Sequence, residues 1–209
     1  DHRPGERLAM ALQEQGPSFI KFGQSLSTRS DLIGEEVAQD LAGLRDRLPP
    51  FSIEDARKTI ESEFEQPLEA LYATFDTEPV AAASIAQVHF ATTTTGEEVA
   101  VKILRPGIEE AFQRDLDLYY WVAEVIETLQ PGFRRLRPVE VVRTFQESVD
   151  LEMDLRLEAA AASELSDGFE HDPDFGVPLI DWNLTQRRVM TIERIHGISI
   201  ADHEALEAA

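Results

Sequence analysis

A lysine inside an apolar strand places the strongest constraint on how this chain can fold. The stretch Val99–Leu104 is apolar except for Lys102, and its composition predicts a β-strand. An amine in the middle of such a strand costs free energy unless it has a partner. Two arrangements satisfy this requirement: Lys102 meets an anionic partner, or its long side chain reaches solvent.

The sequence on either side of this strand predicts an α+β fold. The residues from 6 to 72 are typical of helices, and the pattern changes to short strands at Ala73. We therefore predict two domains, a helical extension over residues 1–72 and a sheet-containing unit over 73–209. Among the helices, Glu35–Leu48 is predicted to be amphipathic, and Ser52 is predicted to cap the next one. The other predicted elements are strands over 73–77, 86–92, 177–182 and 188–194 and long helices over 108–130 and 138–165.

Composition excludes several classes of function. The chain has 209 residues, a formal net charge of −21 and no cysteine. A surface this acidic repels nucleic acid and anionic lipid headgroups over most of its area, and the lack of cysteine excludes disulfides, zinc-thiolate sites and cysteine nucleophiles. The chain has no apolar run long enough to cross a bilayer. It starts without methionine and ends inside helix-forming sequence, so we expect it to be part of a longer polypeptide.

An alanine-rich stretch, residues 80–88, precedes the strand that carries Lys102. Phosphate-binding turns need small side chains, because backbone N–H groups must approach the anion. Protein kinases place a glycine-rich loop over the phosphates at this point, before the strand that carries their lysine. Buried packing of small residues is the alternative, and the nearby Lys102 favours the phosphate loop. The stretch comprises Val80, Ala81, Ala82, Ala83, Ser84, Ile85, Ala86, Gln87 and Val88.

Two further helical segments contain candidate site residues. Asp154 and Glu158 are four residues apart and are predicted to share one helix face, whereas Glu152 points elsewhere. A solvated acidic face is the alternative, although kinases hold their lysine with a helix carboxylate. In the other segment, Lys21 and Gln24 are helix neighbours that flank a glycine, at position 23. That glycine indicates a close approach, either to a ligand or to a crossing helix.

Taken together, these motifs resemble the UbiB family of atypical protein-kinase-like proteins, which are tied to ubiquinone biosynthesis. The most specific part of the resemblance is a K-x-G-Q helix combined with an A-S-I-A-Q-V-H loop, because ordinary kinases have neither. The similarity runs from about residue 10 to 203. The matching stretches are residues 16–29, 44–51, 81–89, 99–106 and 151–160.

The resemblance implies a kinase-like N-lobe preceded by a helical extension, with ATP or ADP as cofactor. Residues 80–88 would cover the nucleotide phosphates, and Lys102 would contact them while paired with Glu158. Within the extension, Lys21 and Gln24 would lie over the active site. The family's E-x-D motif falls on Glu152 and Asp154, and we hypothesise that Lys21 pairs with Glu152. The hinge would bind the base through the backbone of Glu193 and Ile195, with Ile192 at the back of the pocket.

The resemblance also implies that essential parts lie outside this chain. The family's catalytic loop and Mg²⁺ ligands would follow the hinge in a C-lobe that is absent here, so we expect no metal ligand in this segment. The segment alone would bind nucleotide weakly at best and turn over nothing. Quinone-pathway proteins or lipid precursors would be its partners. Membrane association would come from other parts, on the cytoplasmic side of a bacterial inner membrane or in an organellar matrix or plastid.

Three functions therefore stay open on the sequence. The first is the nucleotide-binding portion of an atypical kinase or ATPase. The second is a pseudokinase-like regulatory scaffold that binds nucleotide and recruits partners without phosphoryl transfer. The third, an acidic helical interaction domain without nucleotide, requires the motif matches to be accidental.

Overall fold

The computed structural model describes residues 2–44, 48–198, 200 and 203–208. Its first part is helical, as predicted, and Gly16 separates the first two helices with a backbone φ of 111°. The predicted helix over 35–48 is shorter than expected, because it ends at Ala42 and Gly43 follows as its C-cap. The rest of that prediction falls partly on residues 45–47, outside the described residues. The helices are α1 (Pro4–Gln15), α2 (Pro17–Ser27), α3 (Ser30–Ile33), α4 (Glu35–Ala42), α5 (Ile53–Phe64) and α6 (Leu68–Leu71).

Gly23 explains how tightly this helical extension is packed. A Cβ atom at this position would overlap the side chains of Leu12 and Leu44. The glycine on α2 therefore allows α1 and the end of the α4 segment to approach closely. Of the two explanations for this glycine, the structure supports the helix crossing.

The sheet is antiparallel, with the order β1-β3-β4-β5, and the short β2 pairs with β3. A strand was predicted over 177–182, and this prediction is wrong. Only a single bridge between Ile180 and Ile192 forms there. The chain then turns because the carboxylate of Asp181 accepts hydrogen bonds from the N–H groups of Asn183 and Leu184. The strands are β1 (Tyr72–Phe75), β2 (Ala81–Ala82), β3 (Ala86–Thr93), β4 (Glu98–Leu104) and β5 (Val189–Glu193).

The long helix predicted over 138–165 is in fact two helices. Asp154 has an extended backbone and its carboxylate accepts a hydrogen bond from the N–H of Arg156, which makes it the N-cap of the second helix. Asp154 therefore precedes the helix that carries Glu158 and does not share a face with it, which corrects the prediction. The remaining helices are α7 (Ile108–Leu129), α8 (Pro138–Glu152), α9 (Leu155–Gly168) and α10 (His203–Ala208).

Each face of the sheet is covered by a separate core. Val101 and Ile103 of β4 face one core, with Ile60 of α5. Leu104 faces the other core, with Phe112 of α7 and further residues from α8 and α9. Two aromatic residues of the helical extension also pack on this second core, so α2 is attached to the same side of the sheet as α7–α9. These two residues are Phe19 and Phe22.

A buried polar chain connects β3 to its surroundings. The Gln87 side chain bonds both backbone groups of Phe51 and lies 2.8 Å from Nε2 of His89. The other ring nitrogen, Nδ1, lies 2.8 Å from the carbonyl oxygen of Asp76. A carbonyl can only accept, so Nδ1 carries the proton and Nε2 accepts from the Gln87 amide. His89 is therefore neutral in this arrangement, and burial lowers its pKa.

This buried hydrogen-bonded chain of side chains predicts how the free energy of unfolding responds to acid. Since the folded-state pKa of His89 lies below its unfolded value of about 6.5, its contribution to stability is complete above that pH. The contribution falls as the pH drops below about 6.5, because the unfolded state takes up the proton first. We expect His89→Gln to remove this part of the pH dependence in urea unfolding. The titration of carboxylates affects the wild type and the His89→Gln variant alike. If the unfolding free energy depends on pH equally in both proteins, neutral buried His89 is not the cause and the assignment is contradicted.

Candidate nucleotide-binding site

Lys102 has the carboxylate partner that its position requires. Its Nζ lies 2.7 Å from both Oε1 and Oε2 of Glu158, on α9. The pairing predicted from sequence is therefore present. The two side chains are 26% and 48% exposed, and an ion pair this open adds little to stability, about 0.2–1 kcal/mol. The main effect of the ion pair is on position, because Glu158 holds a solvent-accessible ammonium at a fixed point above the sheet.

The register of the sheet identifies the surface around this ammonium. Val88 and Met190 are the cross-strand partners of Lys102, so the three side chains share one face. Ala100 and its partner Ile192 lie on the same face, one pleat further along. Ala100 has the smallest side chain of this set. Sequence reasoning missed Ala100 and Met190, although strict alternation from Lys102 would have found Ala100.

The alanine-rich stretch is less open than a glycine-rich phosphate loop. The N–H of Val80 donates to the Val88 carbonyl, and that of Ala83 donates to the Ala86 carbonyl, which closes a hairpin. Ser84 is fully buried, and Ile85 packs into the core beneath α7. The tip of the predicted phosphate loop therefore points inward, because the apolar side chain of Ile85 packs in the core.

Arg105 fixes this hairpin, and sequence reasoning missed it. Its guanidinium donates to the carbonyls of Ala83 and Ser84 and to that of Pro49. It also lies 5.3 Å from the ring centre of Phe51. Burial lowers the pKa of Arg105. The available signal was an arginine at the end of a buried strand, directly before a proline.

The hypothesised contact between the two family motifs is also present. The Nζ atom of Lys21 lies 2.7 Å from Oε2 of Glu152, the last residue of α8. Gln24 behaves differently, since its amide nitrogen lies 3.4 Å from the carbonyl of Leu44, inside the helical extension. Of the two K-x-G-Q side chains, Lys21 therefore contacts the segment that leads into the helix of Glu158.

Asp154 has a local partner as well as its capping role. Arg156 donates to both of its carboxylate oxygens, at 2.9 and 2.6 Å. These bonds lower the pKa of Asp154 and keep it ionised. The corner between α8 and α9 thus presents a series of carboxylates, of which Glu152 and Glu158 pair with the two lysines.

The predicted hinge lies at the end of β5. The N–H of Glu193 donates to the Leu179 carbonyl, so it has no hydrogen to offer a base. This leaves the Glu193 carbonyl as the group that a base amino group could approach. Ile195 is 60% exposed. The binding roles of Glu193, Ile195 and Ile192 stay predictions.

Metal binding and membrane insertion both require features that the described part of the chain lacks. No group of three or more histidine, aspartate or glutamate side chains in that part of the chain is arranged to hold a metal ion. None of the helices described there is long and apolar enough to span a bilayer.

Comparison with known proteins identifies the family. A family model described as the ABC1 atypical kinase-like domain matches residues 43–209. The chain belongs to this family. This ABC1 atypical kinase-like protein contains a strand lysine that is paired with a helix carboxylate, Lys102 with Glu158.

Relatives of this ABC1 protein extend the similarity to the helical extension. A probable protein kinase UbiB of Marinobacter nauticus is 49% identical over 98% of this chain, and one of Pseudomonas paraeruginosa is 45% identical over 97%. The chain spans 38% of the length of each of these relatives. A solved complex of Rv3197 with erythromycin from Mycobacterium tuberculosis matches 86% of the chain and 45% of that protein, with a TM-score of 0.65 and 31% identity.

Proposed function

We propose that this chain is the nucleotide-binding portion of a UbiB-type atypical kinase or ATPase that supports ubiquinone biosynthesis. The observation that supports it most is the Lys102–Glu158 pair, which fixes a partly exposed ammonium on the face of the kinase-like sheet that also carries Val88. Kinases use this pair to hold the α- and β-phosphates of ATP. We further propose that the protein acts at the cytoplasmic side of the inner membrane.

The residues of this chain would bind and orient the nucleotide. Lys102 would neutralise phosphate charge, and the surface of Val88, Ala100 and Ile192 would contact the base. Mg²⁺ would supply charge neutralisation at the transferring phosphate, with ligands from parts of the protein outside this segment. The base amino group would donate to the carbonyl of Glu193.

Calorimetry with Mg-ATP and Mg-ADP tests the proposal. The titration should use a chain that continues to the length of the UbiB relatives, because the catalytic loop and metal ligands belong there. We expect binding of both nucleotides by that protein and weak binding by the 209-residue chain. No heat of binding in the longer protein would reject the nucleotide-binding proposal.

The hairpin tip favours a second candidate, a pseudokinase-like scaffold. Ser84 and Ile85 are buried and Arg105 holds the turn, so the hairpin is less free to close over phosphates than a glycine-rich loop. Turnover distinguishes the two candidates. A longer protein that binds Mg-ATP but releases no phosphate, to water or to an acceptor, would favour the scaffold.

A further inference from the structure

The segment beside the predicted hinge pairs with β5 incompletely. Ile180 and Ile192 form an antiparallel bridge, and one step further along the N–H of Glu193 donates to the Leu179 carbonyl at 2.8 Å. In an antiparallel ladder, the two residues of a hydrogen-bonded pair exchange two such bonds. The pairing therefore predicts that the N–H of Leu179 donates in return to the carbonyl of Glu193.

The side chain of Glu193 receives this second bond instead. The N–H of Leu179 donates to the Glu193 carboxylate, at 3.2 Å from Oε2. An ionised carboxylate is a stronger acceptor than a neutral carbonyl, so the side chain of Glu193 replaces its own main chain in the pair. Pro178, the residue before Leu179, has no N–H to offer. The carbonyl of Glu193 therefore lacks the donor that strand pairing would give it.

Contacts with β4 fix the direction of this carbonyl. The N–H of Arg194 donates to the Glu98 carbonyl at 3.1 Å. Because a peptide unit is planar and trans, the Glu193 carbonyl in the same unit points the opposite way, away from β4. The Glu98 carboxylate adds two contacts, at 3.4 Å from a guanidinium nitrogen of Arg194 and at 3.0 Å from Nε2 of His196. The hinge is thus held on the β4 side, and the carbonyl of Glu193 faces outward.

The register of the sheet relates this carbonyl to the proposed base-contacting surface. Phe90 pairs with Ala100, and Ala100 pairs with Ile192, so the three side chains share one face. The guanidinium of Arg194 lies 3.8 Å from the centre of the Phe90 ring and bounds the surface at its hinge end. A base that contacts Ala100 and Ile192 would meet the main chain of the next residue, Glu193.

We propose that the carboxylate of Glu193 makes this site specific for 6-aminopurine nucleotides. Glu193 acts as a positioning residue, because by binding the Leu179 N–H it keeps its own carbonyl free for the exocyclic amino group. A 6-oxopurine presents an oxygen at the same place, and two acceptors form no hydrogen bond. The inference rests on the proposed nucleotide-binding function, and it adds the class of base and the side chain that selects it.

Calorimetry with Mg-ATP and Mg-inosine triphosphate on a chain of the UbiB relatives' length tests this inference. Inosine has an oxygen in place of the 6-amino group and a proton on N1. We expect the wild type to bind Mg-ATP at least about tenfold more tightly, since the oxo base leaves the carbonyl unpaired. The contribution of the N1 proton is common to the wild type and all variants.

Glu193→Met removes the side-chain acceptor with little change in size. The Leu179 N–H then turns to the Glu193 carbonyl, as in an ordinary antiparallel pair. We expect the preference for Mg-ATP to fall to about threefold or less, and part of it persists because a carbonyl has two lone pairs. A general loss of folded protein lowers the binding of both nucleotides alike and leaves their affinity ratio unchanged.

Two matched variants separate this role from the loss of charge. Glu193→Gln loses the charge but keeps an oxygen that can accept from Leu179, so it should retain the wild-type preference. Glu97→Met removes a carboxylate from the adjacent turn, where Glu97 accepts from the Thr95 hydroxyl at 3.0 Å, and should retain the preference too.

The outcomes separate this inference from the function on which it rests. A wild type that binds both nucleotides equally, or an unchanged ratio in Glu193→Met, would overturn the inference while nucleotide binding stands. So would an equal fall of the ratio in Glu193→Gln or Glu97→Met. A wild type that binds neither nucleotide is a different result, because it rejects the proposed function and the inference with it.

Discussion

Replacing Lys102 with alanine is expected to weaken Mg-ATP and Mg-ADP binding at least about tenfold, or about 1.4 kcal/mol. Lys102 is the cation that the sheet and Glu158 hold in place, at 2.7 Å from both carboxylate oxygens. Removing it leaves an unopposed carboxylate beside the phosphates, which adds repulsion to the lost attraction. Calorimetry on a chain of the UbiB relatives' length measures both affinities.

The chain offers a clean control for this variant. It contains three lysines, and Lys58 is the one outside the candidate site, with a side chain that is 76% exposed on α5. Lys58→Ala makes the same change in composition and net charge and should leave nucleotide affinity unchanged. Glu158→Gln should reduce affinity less than Lys102→Ala, because the ammonium stays but loses its anchor. If Lys102→Ala leaves the affinity for Mg-ATP and Mg-ADP unchanged, the similarity to kinases is limited to the fold. That result would favour the pseudokinase-like scaffold.

Arg105→Ala is expected to cost about 2–3 kcal/mol in the free energy of unfolding, because hydrogen bonds from a charged donor are strong and their loss leaves polar groups in a partly buried turn. The carbonyls of Ala83 and Ser84 lose their guanidinium partner, and that of Pro49 loses its tie to the same group. For a chain of this length, the midpoint of thermal unfolding should fall by about 5–10 °C. Urea and thermal unfolding measure the loss.

Two further variants isolate the geometric part of this effect. Arg105→Lys keeps the charge but lacks the planar fork, so we expect it to recover less than half of the lost stability. Arg114→Ala removes an arginine whose Nε donates to Glu110, within its own exposed helix turn, and should change stability by about 0.5 kcal/mol or less. A loss at Arg114 as large as that at Arg105 would mean that bonding to the hairpin is not the cause.

The sequence by itself determined most of the local elements and, through the family resemblance of its motifs, the identity of the charged partners. Alternation and composition predicted the strands that flank Lys102, since side chains on a strand follow a fixed period. The resemblance to the UbiB family, with opposite charges in separate motifs, predicted both lysine–carboxylate pairs, which the structure contains. For Lys102, the apolar strand around it adds an independent requirement, because an amine in such a setting needs a partner.

The tertiary structure alone decided where segments turn and what lies beneath them. The break between α8 and α9 depends on whether Asp154 caps a new helix or continues the old one, and both readings fit the same acidic sequence. The hairpin tip points inward because Ile85 packs in the core. Arg105, at the end of β4, stabilises this turn by donating to a hairpin carbonyl, that of Ala83. Contacts between segments distant along the chain depend on the packing of the whole fold, which no local pattern encodes.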